Sequence, residues 1–246
     1  MKKLLHTIEK FLGIYHWHPK IALRYLPVIS VLKQTVSPTN EVLEVGSGGL
    51  GIAPYLKSRV IGLDLTFPPP LDKHLLPVKA SALDIPFTNN SFPAVISLDM
   101  LEHIPPDGRK SAIYEMIRVA KTLVCIGVPC GSLAQAQDEA LAILYKKSHA
   151  HNFHFLAEQV EYGLPSKEWL AGAIVEQAHL LNKKIEMTSQ GNINLQLRMF
   201  LMKGWISQNI IVNIFFRKVL LLAIPLLRLL NQEPTYRQLF FVKILS

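Results

Sequence analysis

The segment Glu41–Gly51, EVLEVGSGGLG, most constrains what this chain can fold into, because a short apolar run leads directly into a turn with four glycines. Gly46, Gly48 and Gly51 have the spacing G-x-G-x-x-G, and a helical pattern follows them. Glycine lets a backbone turn tightly and approach a ligand closely, so the pattern predicts a strand, a ligand-binding turn and a helix, with a plain tight turn as the alternative. The carboxylate of Glu44 would repel a pyrophosphate at the helix start and suits a ligand with an ammonium or sulfonium centre.

Short apolar runs alternate with helical patterns along the chain. Strands are predicted at Glu41–Val45, Val60–Asp64, Leu76–Lys79, Ala94–Leu98, Thr122–Val128, Lys184–Met187 and Tyr236–Ile244, and helices at Pro19–Gln34, Ile52–Lys57 and Arg109–Lys121. Nearly continuous apolar strands that alternate with helices are typical of a parallel sheet covered on both faces. The predicted fold class is therefore α/β, with a doubly wound, Rossmann-like, mostly parallel sheet and ligands at the carboxyl ends of its strands.

Carboxylates follow the predicted strands. Asp64 ends the strand VIGLDL, 18 residues after Gly46, where a carboxylate can accept hydrogen bonds from a ribose diol; a turn or N-cap aspartate is the alternative. Asp84, in SALDIPF, is placed to accept from the exocyclic amine of adenine. The run AVISLDMLEHIPP then leads from a buried strand into an acidic turn that carries a histidine.

Together these four motifs resemble the class I S-adenosylmethionine-dependent methyltransferases, in the group with an LEVGSG turn, a DIPF segment and an LEH-I-P turn. The resemblance covers Glu41–Val128 densely and Tyr236–Ile244 more loosely. It implies a seven-stranded sheet whose last strand is antiparallel and lies at the sheet edge, where Arg237 and Lys243 would suit partial exposure to solvent.

The resemblance also implies S-adenosylmethionine as cofactor and a set of contacts for it. Glu44, Gly46, Ser47 and Gly48 would line its methionine and ribose, Asp64 and Leu65 its ribose and adenine, Leu83 and Asp84 its adenine, and Leu98 and Asp99 its methionine end.

Histidines supply the candidates for the chemistry. His103 is the predicted general base, since it follows the cofactor-proximal strand; a structural histidine that caps the turn is the alternative. His151 and His154, in HAHNFHF, are predicted on the substrate side. Two segments are similar to metal sites. Asp99–His103 is similar to an E-x-x-E-H site, and His149, together with His151 and His154, offers three zinc ligands. Neither set has a complete ligand shell, so no metal is predicted.

Residues Trp205–Leu230 are predicted to form a long, very apolar helical stretch inserted before the last strand. Arg217, Lys218 and Arg228 interrupt it and Pro225 should kink it, so it falls short of the roughly 20 apolar residues that a membrane span needs. It could cap the substrate pocket, mediate dimerisation, or lie in a membrane interface with its basic residues at anionic headgroups. A cap that also contacts the membrane or a lipid-like substrate is the favoured reading.

The predicted organisation is one methyltransferase domain over residues 1–246. It comprises N-terminal helices (1–38), a cofactor-binding core (39–130), a substrate loop and helix (131–183) and the apolar cap (200–232) before the last strand (236–244). The N-terminal sequence MKKLLHTIEKFLG reads as an amphipathic helix and has no signal-peptide pattern, and two cysteines give no disulfide framework. The predicted location is the cytoplasm, with peripheral contact to the inner face of the membrane as one reading.

The predicted function is S-adenosylmethionine-dependent transfer of a methyl group to an oxygen, nitrogen or carbon nucleophile of a small or lipid-linked acceptor. The net charge of +8 motivates an RNA methyltransferase as an alternative, but the basic residues are scattered and no separate RNA-binding module is evident, so nucleic acid is not the favoured partner. A non-catalytic methyltransferase-like module that binds a membrane or a partner is the other alternative. The sequence does not fix an oligomeric state.

Overall fold

The computed structural model describes residues 16–37 and 41–245. The predicted amphipathic helix before Gly13 therefore lies outside the described residues. The strands are β1 (Val42–Val45), β2 (Val60–Asp64), β3 (Leu75–Lys79), β4 (Phe92–Leu98), β5 (Ala120–Pro129), β6 (Ile185–Asn194) and β7 (Thr235–Ile244). The α-helices are α1 (Pro19–Thr35), α2 (Ala53–Leu56), α3 (Arg109–Val119), α4 (Ser132–His149), α5 (His154–Tyr162), α6 (Lys167–Leu180), α7 (Leu195–Ile206), α8 (Ile210–Arg217) and α9 (Ile224–Leu227).

The seven strands form one mixed sheet in the order β3-β2-β1-β4-β5-β7-β6. Strands β1 to β5 run parallel to their neighbours, and β7 is antiparallel to both β5 and β6. This confirms the predicted doubly wound, Rossmann-like sheet with an antiparallel last strand. The order reverses direction between β1 and β4, which is the point where open α/β sheets bind their ligands.

The predicted position of the last strand at the sheet edge is wrong. Strand β6 pairs with β7 along Ile185–Asn194 and becomes the edge itself, so β7 lies between two partners. Arg237 is consequently buried, although Lys243 remains exposed. The guanidinium of Arg237 is accommodated because it pairs with a carboxylate at the end of β4.

Side chains of alternate residues in the central strands belong to two hydrophobic clusters, one on each face of the sheet. Val42 of β1 packs with α1 and α2, whereas Leu43 and Val45 pack with α3 and α6 on the other face. Burial on both faces explains why these strands read as nearly continuous apolar runs rather than as an alternation of polar and apolar residues.

Two predicted helices differ from the structure. The helix that starts at Arg109 ends at Val119, because β5 begins at Ala120 and takes up the last two predicted positions. The apolar stretch after Trp205 is not one helix: α8 and α9 are short, and 3₁₀ turns at Val219–Ala223 and Arg228–Leu230 separate and follow them.

Candidate active site

A cavity of about 840 Å³ opens at the carboxyl ends of β1, β2, β3 and β4. Helices α1, α5 and α7 and the start of β7 close its other sides. Seven of the thirteen residues singled out from the sequence line this cavity: Gly46, Asp64, Leu65, Leu83, Asp99, His103 and His154. The structure therefore brings residues from five separate motifs to one space.

The glycine turn presents bare backbone to this cavity. Gly46 has φ of +80°, and a Cβ at this position would overlap the side chain of Met100. Gly48 also has a positive φ, +55°, but a Cβ there would meet no atom within 4 Å. The amide of Gly48 donates to Asp64 Oδ2 at 2.8 Å, so the turn after β1 is tied to the end of β2.

The carboxylate of Glu44 supports the turn from behind and does not line the cavity. Its Oε1 accepts from the hydroxyl of Tyr25 at 2.7 Å, and its Oε2 accepts from the amide of Ile52 at 2.7 Å, next to the start of α2. Gly51 passes so close to Oε2 that any Cβ would overlap it. Burial raises the pKa of Glu44 to about 7. The carboxylate of Glu44 therefore links α1 and the start of α2 to the end of β1 by hydrogen bonds.

Four further sequence candidates lie off the cavity wall. Ser47 is buried and its Oγ donates to the carbonyl of Gly48 at 3.0 Å, and Leu98 is buried within β4. Asp84 is exposed beside the cavity-lining Leu83. His151 is exposed, with Nδ1 3.0 Å from the carbonyl oxygen of Asn152. Their predicted contacts with cofactor or substrate remain predictions.

Asp99 is the hub of an ion-pair network on the cavity wall. One oxygen lies 2.9 Å from Arg24 Nη1 of α1, and the guanidinium of Arg237 of β7 binds both oxygens. Burial alone would raise the pKa of Asp99, but Arg237 and Arg24 more than offset it and hold the pKa at about 2. The network joins α1, β4 and β7, three elements that are distant in the sequence.

His103 forms a hydrogen-bonded pair with Glu158, a residue that the sequence reading missed. His103 Nδ1 lies 2.9 Å from Glu158 Oε2, and Glu158 Oε1 lies 2.9 Å from His154 Nε2. Burial lowers the pKa of His103 even though Glu158 opposes this shift, so the imidazole is neutral near pH 7. With Nδ1 donating to the carboxylate, Nε2 carries the lone pair that can accept a proton, and the side-chain nitrogen of Gln159 lies 3.5 Å from this Nε2.

Next to this pair lie two further buried polar residues. The side-chain Nε2 of Gln159 donates to Glu102 Oε1 at 3.3 Å, and Glu102 Oε2 has no hydrogen-bond partner among the described residues. Burial raises the pKa of Glu102 well above its ordinary value.

Across residues 16–37 and 41–245, no group of three or more His, Cys, Asp and Glu side chains is arranged to hold a metal ion. The oxygens of Asp99 are taken by arginines.

Cations outnumber carboxylates on the side of the cavity formed by α1 and α7, a feature that no sequence motif indicated. Arg24 and Arg237 share Asp99, and Arg198 pairs with Asp138. Lys20 has no carboxylate partner in the described part of the chain; its Nζ lies 4.3 Å from the centroid of the Trp205 ring and 3.6 Å from the sulfur of Met202. Burial, with the neighbouring Arg24 and Arg198, lowers the pKa of Lys20 to about 7.

Residues 43–123, which span the glycine turn, β1 to β4 and the LEH turn, match the family model of a methyltransferase domain. Within these residues the chain is similar to a methyltransferase domain. This confirms the resemblance to the class I S-adenosylmethionine-dependent methyltransferases, and it supports S-adenosylmethionine as the cofactor. No curated protein matches this sequence at a significant level.

Solved structures share the fold of this chain over most of its length. A protein from Thermotoga maritima, described as an S-adenosylmethionine-dependent methyltransferase and possible histamine N-methyltransferase, aligns with a TM-score of 0.54 at 14% identity, over 97% of this chain and 98% of that one. Phosphoethanolamine N-methyltransferase 2 from Haemonchus contortus, in complex with S-adenosyl-L-methionine, aligns with a TM-score of 0.52 at 17% identity, over 89% of this chain and 52% of that one. At these identities the likeness shows the shared fold.

Proposed function

We propose that this protein transfers a methyl group from S-adenosylmethionine to an oxygen, nitrogen or carbon nucleophile of a small or lipid-linked acceptor. The observation that carries the proposal is the meeting of the bare Gly46 turn, the carboxylate of Asp64 and the His103–Glu158 pair around one cavity. Both cysteines are free thiols, which is consistent with a reducing, cytoplasmic compartment.

The residues around the turn fit the cofactor. Gly46 presents bare backbone at the cavity wall, where any Cβ would overlap Met100, and Asp64 offers oxygens where a ribose diol is expected. Arg24 lines the cavity, so its guanidinium can face a carboxylate such as that of the methionine portion. When bound, S-adenosylmethionine supplies a methyl group already activated by its sulfonium, so the protein's main task is to align the acceptor with it.

The His103–Glu158 pair supplies the base that an amine or hydroxyl acceptor needs. Glu158 fixes the imidazole through Nδ1 and leaves Nε2 to take the proton from the nucleophile. A pKa below the ordinary value of 6.5 keeps His103 unprotonated near neutral pH. His154, on the other oxygen of Glu158, holds the carboxylate in place from the exposed side.

The charges on the cavity wall favour an acceptor with an anionic group. Lys20, Arg24, Arg198 and Arg237 face this side, against the carboxylates of Asp99 and Asp138. A bound anion beside Lys20 would favour the charged form of the lysine and raise its pKa from about 7.

Calorimetry with S-adenosylmethionine tests the cofactor part of this proposal. We expect binding heat and thermal stabilisation for the full chain, and at least a tenfold loss of affinity, about 1.4 kcal/mol, in Asp64→Ala. Asp107→Ala removes an equally acidic but exposed side chain next to the LEH turn and should leave the affinity unchanged. Absence of binding heat in the wild type would leave the non-catalytic module as the better reading.

The acceptor class is tested with labelled methyl groups. Transfer to cell-extract fractions, separated into lipid, RNA, protein and small polar pools, should label the lipid or small polar pool. The labelled product should bind an anion exchanger because of its negative group. Label found in RNA alone would overturn the acceptor proposal and favour the RNA methyltransferase.

The two glycines of the turn give a matched pair of variants. Gly46→Ala and Gly48→Ala both place a side chain at positive φ, at a similar backbone cost of about 1–2 kcal/mol. Only Gly46→Ala also overlaps Met100 and fills the cavity wall. We expect the affinity for S-adenosylmethionine to fall at least tenfold, about 1.4 kcal/mol, in Gly46→Ala and much less in Gly48→Ala, as measured by calorimetry. Equal losses would show that the turn acts through backbone strain alone.

A further inference from the structure

The helical segment Ile210–Leu230, here called the apolar segment, exposes an unusually large hydrophobic surface. Its most apolar window of 18 residues has a mean hydropathy of 2.2, yet most of the large apolar side chains in the segment are not buried. Large side chains that point to solvent are Ile210, Ile211, Phe215, Val219, Leu222, Leu226, Leu229 and Leu230. Contiguous apolar patches of this kind on a protein surface mark sites of interaction with another protein or a membrane.

The apolar segment is fixed to the body of the protein by its inward side. Phe216 packs against Phe200 at 4.7 Å between ring centroids and lies over Gly204, where any Cβ would overlap the ring. Leu220, Leu221, Ile224 and Leu227 are buried in the same core cluster as α1. The packing of the inward side chains therefore fixes the exposed side chains of the apolar segment in a defined surface.

The geometry of the apolar segment does not suit a membrane span, although its length and composition alone would allow one. Helix α8 has 8 residues, which corresponds to about 12 Å against a hydrocarbon core of about 30 Å. The 3₁₀ turns on either side of α9 break the rest of the segment, and its buried leucines belong to the core of the protein. A broken helical segment with one anchored side and one apolar side fits the plane of a membrane interface.

The charges around the apolar segment identify the kind of membrane. Residues 187–232 contain five basic side chains, Arg198, Lys203, Arg217, Lys218 and Arg228, and no aspartate or glutamate. Arg198 is buried against Asp138, but Lys203, Arg217 and Arg228 are exposed. Basic residues beside an apolar surface are attracted to anionic lipids by about 1 kcal/mol each. A second copy of the chain, by contrast, would bring two basic surfaces together with no acidic partner in either.

We propose that the apolar segment docks this protein onto the surface of an anionic lipid bilayer, with Ile211 and Leu222 in the interface and Arg217 and Arg228 at the headgroups. This goes beyond the proposed methyl transfer and does not depend on it. Helix α7 lies between the cavity and the apolar segment. Its Arg198, Leu201 and Met202 line the cavity, whereas its Phe200 and Gly204 pack against Phe216 of α8. Docking therefore places one wall of the cavity next to the bilayer.

Co-sedimentation of the full chain with vesicles tests the proposal. We expect binding to vesicles of phosphatidylcholine with about 30% phosphatidylglycerol, weaker binding to phosphatidylcholine alone, and a decrease with added salt. Ile211→Glu combined with Leu222→Glu changes two side chains that are 75% and 80% exposed, so folding should be retained and binding lost by at least tenfold. Arg217→Gln combined with Arg228→Gln should weaken binding to the anionic vesicles by about 25-fold, from about 1 kcal/mol per residue.

Ile143→Glu combined with Leu180→Glu is the matched control, because these side chains are also exposed, 71% and 61%, but lie on α4 and α6. It adds the same charge and should leave vesicle binding intact. Equal binding by the wild type and the Ile211 and Leu222 variant would overturn the proposal. So would resistance of the bound protein to alkaline extraction, which indicates a span, or a concentration-dependent dimer without vesicle binding. Vesicle binding without any heat from S-adenosylmethionine would contradict the proposed methyl transfer alone.

Discussion

Replacing Asp99 by asparagine should lower the free energy of unfolding by about 3 kcal/mol, because removal of one member of a buried ion pair leaves the other charge uncompensated. Asp99 is the shared partner of Arg24 and Arg237, and the side chains of all three are less than a fifth exposed. Asparagine is the appropriate replacement, since Asp99 has φ of +56° and asparagine tolerates this conformation. For a chain of this size the melting temperature should fall by roughly 10 °C.

The effect of this substitution should depend on pH in a defined direction. The pKa of Asp99 is about 2 in the folded protein against an ordinary value of 3.8, so its stabilising contribution is present above pH 3.8 and is lost as the pH falls toward 2. Urea unfolding of wild type and Asp99→Asn should therefore differ by a constant amount from neutral pH to about pH 5 and converge below pH 4.

Asp107→Asn is the control for this series, because Asp107 is exposed in the turn that follows the LEH motif. Its unfolding free energy should equal that of the wild type at every pH. If Asp99→Asn were equally stable at pH 7, the three-residue network could not be what joins α1, β4 and β7.

The cofactor side of the site was predictable because its signals are local. A strand, its glycine turn and the following acid occupy a few consecutive positions, and parallel strands bring successive carboxyl ends to one edge of the sheet. Gly46, Asp64, Leu83 and Asp99 line the same cavity, and their contacts with the cofactor stay predictions. Glu44 shows the limit of this reading, because the sequence placed it at the right strand end but could not reveal that Tyr25 and Ile52 bind both of its oxygens.

Long-range partners were not predictable from the sequence. Glu158 is 55 positions from its partner His103, and Arg237 is 138 positions from Asp99, so no spacing or periodicity links them. The wrong prediction for the position of the last strand has the same cause. An apolar strand with a few charged residues can lie at a sheet edge or between two neighbours. Only the pairing of β6 with β7 decides between these positions, and that pairing is a property of the fold.

Replacing His103 by asparagine should reduce kcat for methyl transfer to an amine or hydroxyl acceptor by about 100-fold or more, the usual contribution of a positioned general base. The acceptor fraction identified by labelled-methyl transfer provides the assay. Binding of S-adenosylmethionine should be retained in calorimetry, because the proposed role of His103 concerns the acceptor. His179→Asn is the matched control: it removes an exposed histidine of α6 that lies outside the cavity and should leave kcat unchanged.

The pH profile separates a base from a structural histidine. Because the pKa of His103 is lowered below 6.5 by burial, kcat of the wild type should rise with pH along a limb below 6.5 and be level at neutral pH. Glu158 opposes this lowering, so Glu158→Gln should move the limb to still lower pH and reduce kcat by about tenfold through loss of the imidazole's orientation. A structural role for His103 would leave the position of the limb unchanged in Glu158→Gln, and full activity of His103→Asn would exclude it as the base.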